Sequence, residues 1–292
     1  MNRFEIQLNE FEKKVLNNIC KEIYKNFSKN HVDIFLCGGD LTENTIRKKV
    51  KTLLQEKYIM IFYPEKVFVE YFNLNKNSDY LALETLLAQN VDYICIVCES
   101  SGSLVELGAF SNIEEIRNKI IALNDEKYKK EKSFVNLGPI KHLLKYNKNS
   151  VKFYNDENLT KICDDLKKMF RQHLKISNEP RTIDKITGMF YFICLLLYFF
   201  KSLEKEKLLS YLQYVILSVE KKEDFNDLEA RYYAAEKILF NENLIKNKSQ
   251  KELELTEKAK KMMLELINKK ERSVYNSVIS DIIKLKYYHY SS

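Results

Sequence analysis

A single acidic residue interrupts an apolar, helix-like segment just after a loop rich in serine and glycine. The stretch CESSGSLVELGAF covers residues 98–110, and its apolar half, LVELGAF, contains one carboxylate, Glu106. The backbone N–H groups of such a loop and the N-terminus of the following helix favour phosphate or sugar hydroxyls. A carboxylate beside them can attack, or electrostatically stabilise, an oxocarbenium-like sugar carbon, as in glycosidases. Alternatively, Glu106 caps or pairs on a helix surface, and the pattern alone favours neither.

The residues around this glutamate are small and polar, which suits close contact with a ligand. Gly102 lets the backbone approach a bound molecule. Ser101 and Ser103 can bond a phosphate, and Ser103 can also cap the helix that holds Glu106. Glu99, directly after the preceding apolar run, either stabilises the loop or touches substrate. The sequence leaves these alternatives open.

A second group of candidate ligand-binding residues follows another apolar run. VDIFLC, residues 32–37, leads directly into Gly38, Gly39 and Asp40. Asp40 can bind ribose hydroxyls, or it can be the N-cap of the following helix. Asn124, at the end of the later run KIIALN, is a further candidate. Each of these residues lies where an apolar run gives way to a polar loop.

The elements that must position these residues alternate between strand-like and helix-like patterns over residues 1–178. Amphipathic segments between the apolar runs predict helices, so the predicted fold class is α/β with a doubly wound parallel sheet. Ligands of such sheets bind at the carboxyl ends of the strands, which is where residues 38–40 and 99–106 fall. The predicted strands are 32–37, 58–63, 93–98, 119–124 and 151–154.

Residues 181–292 have a different pattern, dominated by helices. A short apolar piece, a polar basic turn and the alternating ELEL predict a two-stranded hairpin within this region. Three helices, a hairpin and a further helix are the layout of a winged helix. The segment NEPRT is the predicted linker, because Pro180 ends a helix. The predicted helices cover 184–203, 205–219, 224–241, a segment from Thr256, and 273–285.

The predicted hairpin carries a mild excess of positive charge. Lys246, Lys248 and Lys251 are the candidates for contact with nucleic acid or a partner. The predicted third helix leans acidic, with only Arg231 and Lys237 as basic residues, which disfavours ordinary readout of duplex DNA. Docking to a protein–nucleic acid complex fits at least as well, and an oligomerisation domain is the alternative.

The amino-acid composition and the apolar segments limit the classes of protein to which this chain can belong. With 45% hydrophobic and 30% charged residues the chain can bury a core, and its net charge of +7 permits a nucleic-acid partner without requiring one. The longest apolar run, residues 189–200, is shorter than the ~20 residues that a membrane-spanning helix needs, so it predicts a buried helix. The N-terminal segment lacks the apolar core of a signal peptide, which favours a cytoplasmic protein.

Six scattered cysteines, several of them in apolar runs, predict reduced and buried thiols. Cys95 and Cys98 form a C-x-x-C pair, but this spacing puts them on opposite faces of a strand. Packed thiols are therefore preferred over a metal or redox pair. The four histidines are isolated in the sequence, and no metal site is predicted.

These residues also carry a resemblance to a known family. LCGGD at 36–40 and SDYLALETLLAQNVDYICIVCESSGSLVELGAFSN at 78–112 resemble the nucleoside 2-deoxyribosyltransferase-like fold. The similarity is greatest to the version in effector proteins of retron antiphage systems, where that domain is joined to a winged-helix domain. The resemblance implies a catalytic domain over 1–178 and a winged-helix-like domain, binding nucleic acid or a partner, over 181–292.

The resemblance also implies roles for individual residues. In the transferase family, a glutamate at this loop-to-helix position is the nucleophile that takes the sugar at its anomeric carbon, and that role falls on Glu106. A second family carboxylate contacts the base, and Glu84 occupies its position. The transferases usually carry aspartate-rich residues before the loop glycine, where this chain has Ser100 and Ser101. This departure disfavours transfer between free deoxynucleosides and agrees with the effector branch.

For the effector branch, the resemblance implies cleavage of the N-glycosidic bond of NAD, which is a substrate and not a cofactor. It further implies a toxin held inactive by a reverse transcriptase–msDNA complex, a homo-oligomer, and no membrane partner. Two other functions stay open: a nucleotide-sensing, DNA-binding regulator, and a nucleoside deoxyribosyltransferase of salvage metabolism. A reverse transcriptase gene next door would favour the toxin.

Overall fold

The computed structural model describes residues 8–27, 31–41, 44–63, 85, 88, 90–176, 181–221, 228–267 and 272–288. Its strands are β1 (Val32–Cys37), β2 (Ile59–Phe62), β3 (Tyr93–Val97), β4 (Ile120–Asp125), β5 (Val151–Tyr154), β6 (Ser202–Glu204), β7 (Ile245–Asn247) and β8 (Glu252–Leu255). Its α-helices are α1 (Glu10–Asn18), α2 (Ile46–Leu53), α3 (Ser101–Ser111), α4 (Glu114–Arg117), α5 (Lys141–Tyr146), α6 (Leu159–Ile176), α7 (Ile186–Phe200), α8 (Lys205–Tyr214), α9 (Leu228–Asn241), α10 (Glu257–Leu266) and α11 (Arg272–Tyr288). Wider, π-helical turns continue α1 over Ile19–Tyr24, precede α5 over Asn136–Ile140 and continue α8 over Val215–Val219.

Five strands form one sheet in the order β2-β1-β3-β4-β5. Every neighbouring pair is parallel. The predicted α/β class with a parallel sheet is therefore confirmed. The chain order reverses between β1 and β3, and such a reversal opens a crevice outside the carboxyl ends of these two strands. The loops that carry Gly38 and Glu99 follow these two strands.

Helices cover both faces of this sheet. On one face, Val50 of α2 and Phe170 of α6 belong to the same apolar core as Ile34 of β1. On the other face, the ring centroid of Phe110 in α3 lies 6.4 Å from that of Phe35 in β1. Because β1 is covered on both sides, all of its residues are buried, which accounts for its nearly continuous apolar sequence.

The chain divides into two compact units, and α1 belongs to the helical one. The sheet unit contains β1–β5 with α2–α6, whereas the helical unit contains α1 with the elements from α7 onwards. Within the helical unit, the buried carboxylate of Glu12 accepts a hydrogen bond from Tyr211 Oη at 3.0 Å, and Tyr24 Oη donates to the carbonyl of Gly188 at 3.1 Å. Residues 1–178 were predicted to form one domain, whereas the compact unit that contains the sheet begins at residue 31. The amphipathic pattern of α1 predicts that the helix has an apolar face, but it does not predict which of the two cores buries that face.

The helical unit is built around α7, nearly every residue of which is buried. The prediction that residues 189–200 form a buried helix is confirmed. α7 ends at Lys201, whose φ of 73° is a rare backbone conformation for a residue with a side chain. Among the described residues, no helix combines the length and the apolar character needed to cross a bilayer.

A small antiparallel sheet with the order β6-β8-β7 completes this unit. β7 and β8 form the predicted hairpin, with Lys246 opposite Glu254. The sequence analysis assigned residues 202 and 203 to a helix and missed β6, in which Leu203 pairs with Leu253 of β8. Three residues are too few for an alternating pattern to reveal a strand. The order along the chain is helix α7, strand β6, helices α8 and α9, then strands β7 and β8.

Candidate active site at the carboxyl edge of the sheet

Glu99 ties the loop after β3 to the loop after β1. Its Oε1 accepts hydrogen bonds from the backbone N–H groups of Gly39 at 3.2 Å and Arg47 at 3.0 Å, and its Oε2 accepts from Ile46 at 2.8 Å. The first N–H groups of a helix have no partner within the helix, and a carboxylate there also suits the helix dipole. Of the two roles left open for Glu99, stabilising the loop is the one that these contacts support.

Arg47 fixes the same loop from below. Its side chain is buried, and its guanidinium donates to the carbonyls of Gly39 at 2.9 Å and Leu36 at 2.7 Å. Only a glycine fits at position 38 without a shift of the arginine side chain, because a Cβ there would lie 2.9 Å from Arg47 Cδ. Arg47 is not among the residues that the sequence pattern predicted for the site. Its spacing from Val50 and Leu54, both buried, could have placed it on the inner stripe of α2.

The helix that carries Glu106 begins with a reciprocal cap. Ser100 is the N-cap of α3: its Oγ accepts from the Ser103 N–H at 3.2 Å, and the Ser100 N–H donates to Ser103 Oγ at 3.1 Å. Ser103 is buried, so it completes the cap and does not face a ligand. Ser101 and Gly102, both exposed, form the first helical turn and present the open N-terminus of α3. The predicted cap is therefore real, but Ser100 and Ser103 share it.

Glu106 lies in the second turn of α3, beside the end of β3. Its side chain is partly buried, and its Oε2 is shielded from solvent. Burial raises the pKa of the Cys98 thiol to about 12, and the negative charge of Glu106 is the second cause. The two groups are therefore neighbours. A thiol with so high a pKa is protonated at neutral pH, so Cys98 is a poor nucleophile there.

A cavity of about 560 Å³ opens at this edge of the sheet, in contact with the loop after β3 and the start of α3. Its lining combines hydroxyl, amide, carboxylate and aromatic groups, a mixture suited to a sugar and an aromatic base. The lining residues are Ile46, Cys98, Glu99, Ser100, Ser101, Leu104, Asn124, Asp125, Lys127, Tyr128, Glu131, Ser133, Val135, Asn136 and Tyr154.

The far wall of the cavity is a loop held by two asparagines. Asn136 donates through its side-chain amide to the carbonyls of Tyr128, at 2.5 Å, and Glu131, at 2.9 Å. Its Oδ1 accepts from the buried amide of Asn124 at 3.3 Å. Tyr154 closes the base of this wall: burial raises the pKa of its phenol, with Asp125 as the next cause. Asn124 thus lines the cavity, as the sequence suggested, and also positions the loop.

The predicted residues occupy different places relative to this cavity. Ser101 lines it and Gly39 borders it through Glu99, whereas Glu106 is near it through Cys98 and is not itself one of the lining residues. Asp40 is exposed. Thr45, not Asp40, is the N-cap of α2, so the capping alternative for Asp40 is wrong. Glu84 lies outside the residues that the structure describes.

In the helical unit, two of the three hairpin lysines are already paired. Lys246 Nζ lies 3.0 Å from Glu254 Oε1 across the hairpin. Lys248 Nζ lies 3.3 Å from Glu252 Oε2. Lys251 is exposed at the turn. The positive charge expected of this hairpin is therefore largely matched by its own glutamates.

Comparisons with known proteins identify a family and two similar relatives. A family model described as STM3845 retron effector protein matches residues 43–247, well over half of the chain. The chain is 33% identical over 181 residues to a protein of Escherichia coli named retron Ec86 putative ribosyltransferase/DNA-binding protein. That alignment covers 60% of this chain and 59% of the relative. A second Escherichia coli protein, retron Ec73 putative ribosyltransferase/DNA-binding protein, is 35% identical over 127 residues, which cover 41% of this chain and 40% of that relative. The chain thus spans less than two thirds of the length of either relative.

Proposed function

Because the chain belongs to the STM3845 family of retron effector proteins, we propose that it is the toxic effector of a retron antiphage defence system. Its proposed reaction is cleavage of the N-glycosidic bond of NAD or a related nucleotide. The observation that carries this proposal is the position of the cavity. It lies over the carboxyl ends of β3, β4 and β5, next to the N-terminus of α3 and near the partly buried Glu106.

The lining of the cavity supports a nucleotide as the substrate. Hydroxyl and amide side chains there can bond a ribose and the edge of a base, and Tyr128 offers an aromatic ring at the rim. The open N–H groups of Ser101 and Gly102 at the start of α3 suit a phosphate. Lys127, which also lines the cavity, is already paired with Asp125 at 3.0 Å. Phosphate binding in this proposal therefore depends on the helix N-terminus and not on that lysine.

The proposed reaction uses Glu106 as the nucleophile. Its carboxylate attacks the anomeric carbon of the nicotinamide ribose, and the carbon–nitrogen bond to the pyridinium breaks. Nicotinamide leaves as a neutral molecule with the bonding electron pair, so no proton has to be supplied to it. Water then hydrolyses the glycosyl ester and releases ADP-ribose, restoring the carboxylate. Glu99 and Arg47 hold the two loops in place and do not touch the reacting atoms.

The names of the Escherichia coli relatives favour a second possible reaction of the glycosyl ester proposed to form on Glu106. Both are called putative ribosyltransferases. In a transferase, an acceptor other than water would attack the glycosyl ester. The first step, release of the base, is common to both fates, so the role proposed for Glu106 does not depend on which acceptor is used.

The decisive experiment compares Glu106→Gln with Glu114→Gln, a matched change at an exposed glutamate of α4. Nicotinamide release from NAD is measured with purified protein, and growth is measured in cells. Loss of the nucleophile should lower the rate by at least about 1,000-fold. Both variants should melt at the temperature of the parent. If Glu106→Gln released nicotinamide at the parental rate, the nucleophile would have been assigned wrongly. Adding free nucleosides to the assay separates hydrolysis from transfer.

The helical unit is proposed to hold the toxin in check by docking a reverse transcriptase and its msDNA. A winged-helix fold is proposed for this unit because of its order of helix, strand, two helices and two strands, and such a fold suits contact with nucleic acid. The words "DNA-binding" in the names of both relatives favour the same role. Adding the purified reverse transcriptase–msDNA complex should suppress nicotinamide release, whereas the reverse transcriptase without msDNA should not.

A further inference from the structure

A second cavity, of about 350 Å³, lies within the helical unit, and the three hairpin lysines are not among its lining residues. Three elements build it: the end of α7, strand β8 and helix α10. Its residues fall into an apolar group and a charged group. They are Leu197, Tyr198, Lys201, Glu254, Leu255, Lys260, Lys261 and Leu264.

The apolar part forms a floor and one open side. Leu197 and Leu255 are buried, whereas Leu264 on α10 exposes 66% of its surface although it lines the cavity. An exposed leucine at the mouth of an apolar depression is typical of a surface that a second molecule covers. The cavity therefore has space and a favourable environment for one bulky apolar side chain.

The rim of the cavity is positively charged. Lys260 pairs with the exposed Glu257 at 2.7 Å. Within the described part of the chain, no carboxylate lies within 4 Å of the ammonium groups of Lys201 or Lys261. Glu254, the one acidic residue of the lining, is paired with Lys246 outside it. Among the described residues, Lys201 and Lys261 therefore have no ion-pair partner at this rim, and Glu257 interacts with Lys261 only at longer range.

The position of Lys201 at this rim is fixed by the backbone. It ends α7 with φ of 73° and ψ of −49°, which turns the chain sharply from the helix into β6. Its Nζ lies 5.5 Å from the centre of the Tyr198 ring, and Tyr198 Oη lies 3.4 Å from Tyr275 Oη. The tyrosine is therefore a wall of the cavity with a lysine beside its ring, and not an open platform for a nucleic-acid base.

From these contacts we propose that the cavity binds a protein partner through an acidic peptide segment. A bulky apolar side chain of that segment enters between Leu197 and Leu264, and flanking carboxylates pair with Lys201 and Lys261. A leucine floor offers a phosphate backbone nothing to bond, which disfavours nucleic acid as the occupant. This proposal is independent of the glycosidase chemistry proposed for the sheet unit.

The test begins with a random library of short peptides selected on the full-length protein. The recovered peptides should share one leucine, phenylalanine or tryptophan flanked by aspartate or glutamate. Their affinities are then measured by fluorescence anisotropy for the parent and for Lys261→Glu, Leu264→Ser and Lys284→Glu. Lys284 is an exposed lysine of α11 outside the cavity and serves as the matched control. Binding should weaken about tenfold or more in Lys261→Glu and Leu264→Ser and should stay unchanged in Lys284→Glu.

Several results would overturn the proposal. One is a selection that yields no acidic, apolar consensus, and another is equal binding to the parent and both cavity variants. A mixed-sequence oligonucleotide whose binding both variants weaken would make the cavity a nucleic-acid site. Dissociation of an oligomer by Leu264→Ser, seen by light scattering, would make it an interface between copies of the chain. Melting curves of both variants exclude unfolding as the cause of a loss.

Discussion

Two glutamates seven positions apart do different work at the edge of the sheet. Glu99 accepts three backbone N–H groups and holds two loops together. Glu106 lies one and a half turns into α3, next to a thiol that burial keeps protonated. Glu99 is therefore a structural residue of the two loops, whereas Glu106 is the proposed nucleophile. Substitution of Glu99 should therefore lower stability, whereas substitution of Glu106 should lower activity.

Arg47→Met should destabilise the sheet unit. The change removes two donors and leaves the carbonyls of Gly39 and Leu36 without that charged partner, which should cost about 2–4 kcal/mol of the free energy of unfolding. Urea denaturation measures this loss. Lys49→Met is the matched control, because Lys49 forms an exposed ion pair with Asp156, at 3.6 Å, and should change stability by less than about 0.5 kcal/mol. Equal losses in both variants would show that Arg47 is not an anchor.

The buried thiols should make the folded protein sensitive to alkaline pH. Burial raises the pKa of Cys20 and Cys98 from 9.0 to about 12, and that of Cys163 to about 11. Between these values the unfolded chain releases thiol protons that the folded chain retains, so stability is full below pH 9 and falls as pH rises towards 12. Urea midpoints measured from pH 7 upwards should show this decline. Cys98→Ser should reduce its slope above pH 9, and an unchanged slope would contradict the assignment.

At the scale of elements, the hairpin and the start of α3 show how much a sequence determines. The apolar runs predicted all five parallel strands, and strand–helix alternation predicted the carboxyl edge as the place of the site. The sequence could not pair Lys246 with Glu254, because pairing depends on the register across a turn. Helical spacing could place Arg47 on the inner stripe of α2, but it could not show that the guanidinium bonds the carbonyls of Gly39 and Leu36. Long-range contacts of this kind are set by packing and not by local pattern.

Lys251→Glu should have a larger effect on nucleic-acid binding than Lys246→Glu. Lys251 is exposed at the hairpin turn, whereas Lys246 must leave Glu254 before it can contact a phosphate. Losing one phosphate contact should reduce the slope of log affinity against log salt by about one unit. Binding of a labelled stem-loop DNA at several salt concentrations measures the slope. Equal slopes for Lys251→Glu and the parent would remove the hairpin from the contact surface.

At the scale of the whole molecule, the described part of the chain leaves the helical unit after α1 and returns to it at α7. A fragment of residues 31–178 should therefore fold and remain soluble, because it contains β1–β5 and α2–α6 without α1. The fragment 1–178 should aggregate, since it exposes the apolar stripe of α1, in which Val15 and Leu16 are buried in the full chain. Size-exclusion chromatography and circular dichroism compare the two. A soluble, monomeric 1–178 fragment would show that α1 does not need the helical unit.

The interrupted helical unit has a consequence for protein synthesis. Glu12 cannot accept its hydrogen bond from Tyr211 until that residue, 199 positions later in the chain, has been synthesised. At typical rates of translation this delay is ~10–40 s, and domains generally fold as they emerge. The sheet unit, with Glu106, is therefore complete at the ribosome before the unit proposed to receive the restraining partner exists. During the synthesis of every chain there is thus an interval in which the sheet unit, the proposed catalytic part, is folded. The helical unit, proposed to bind the inhibiting partner, is not yet folded in that interval.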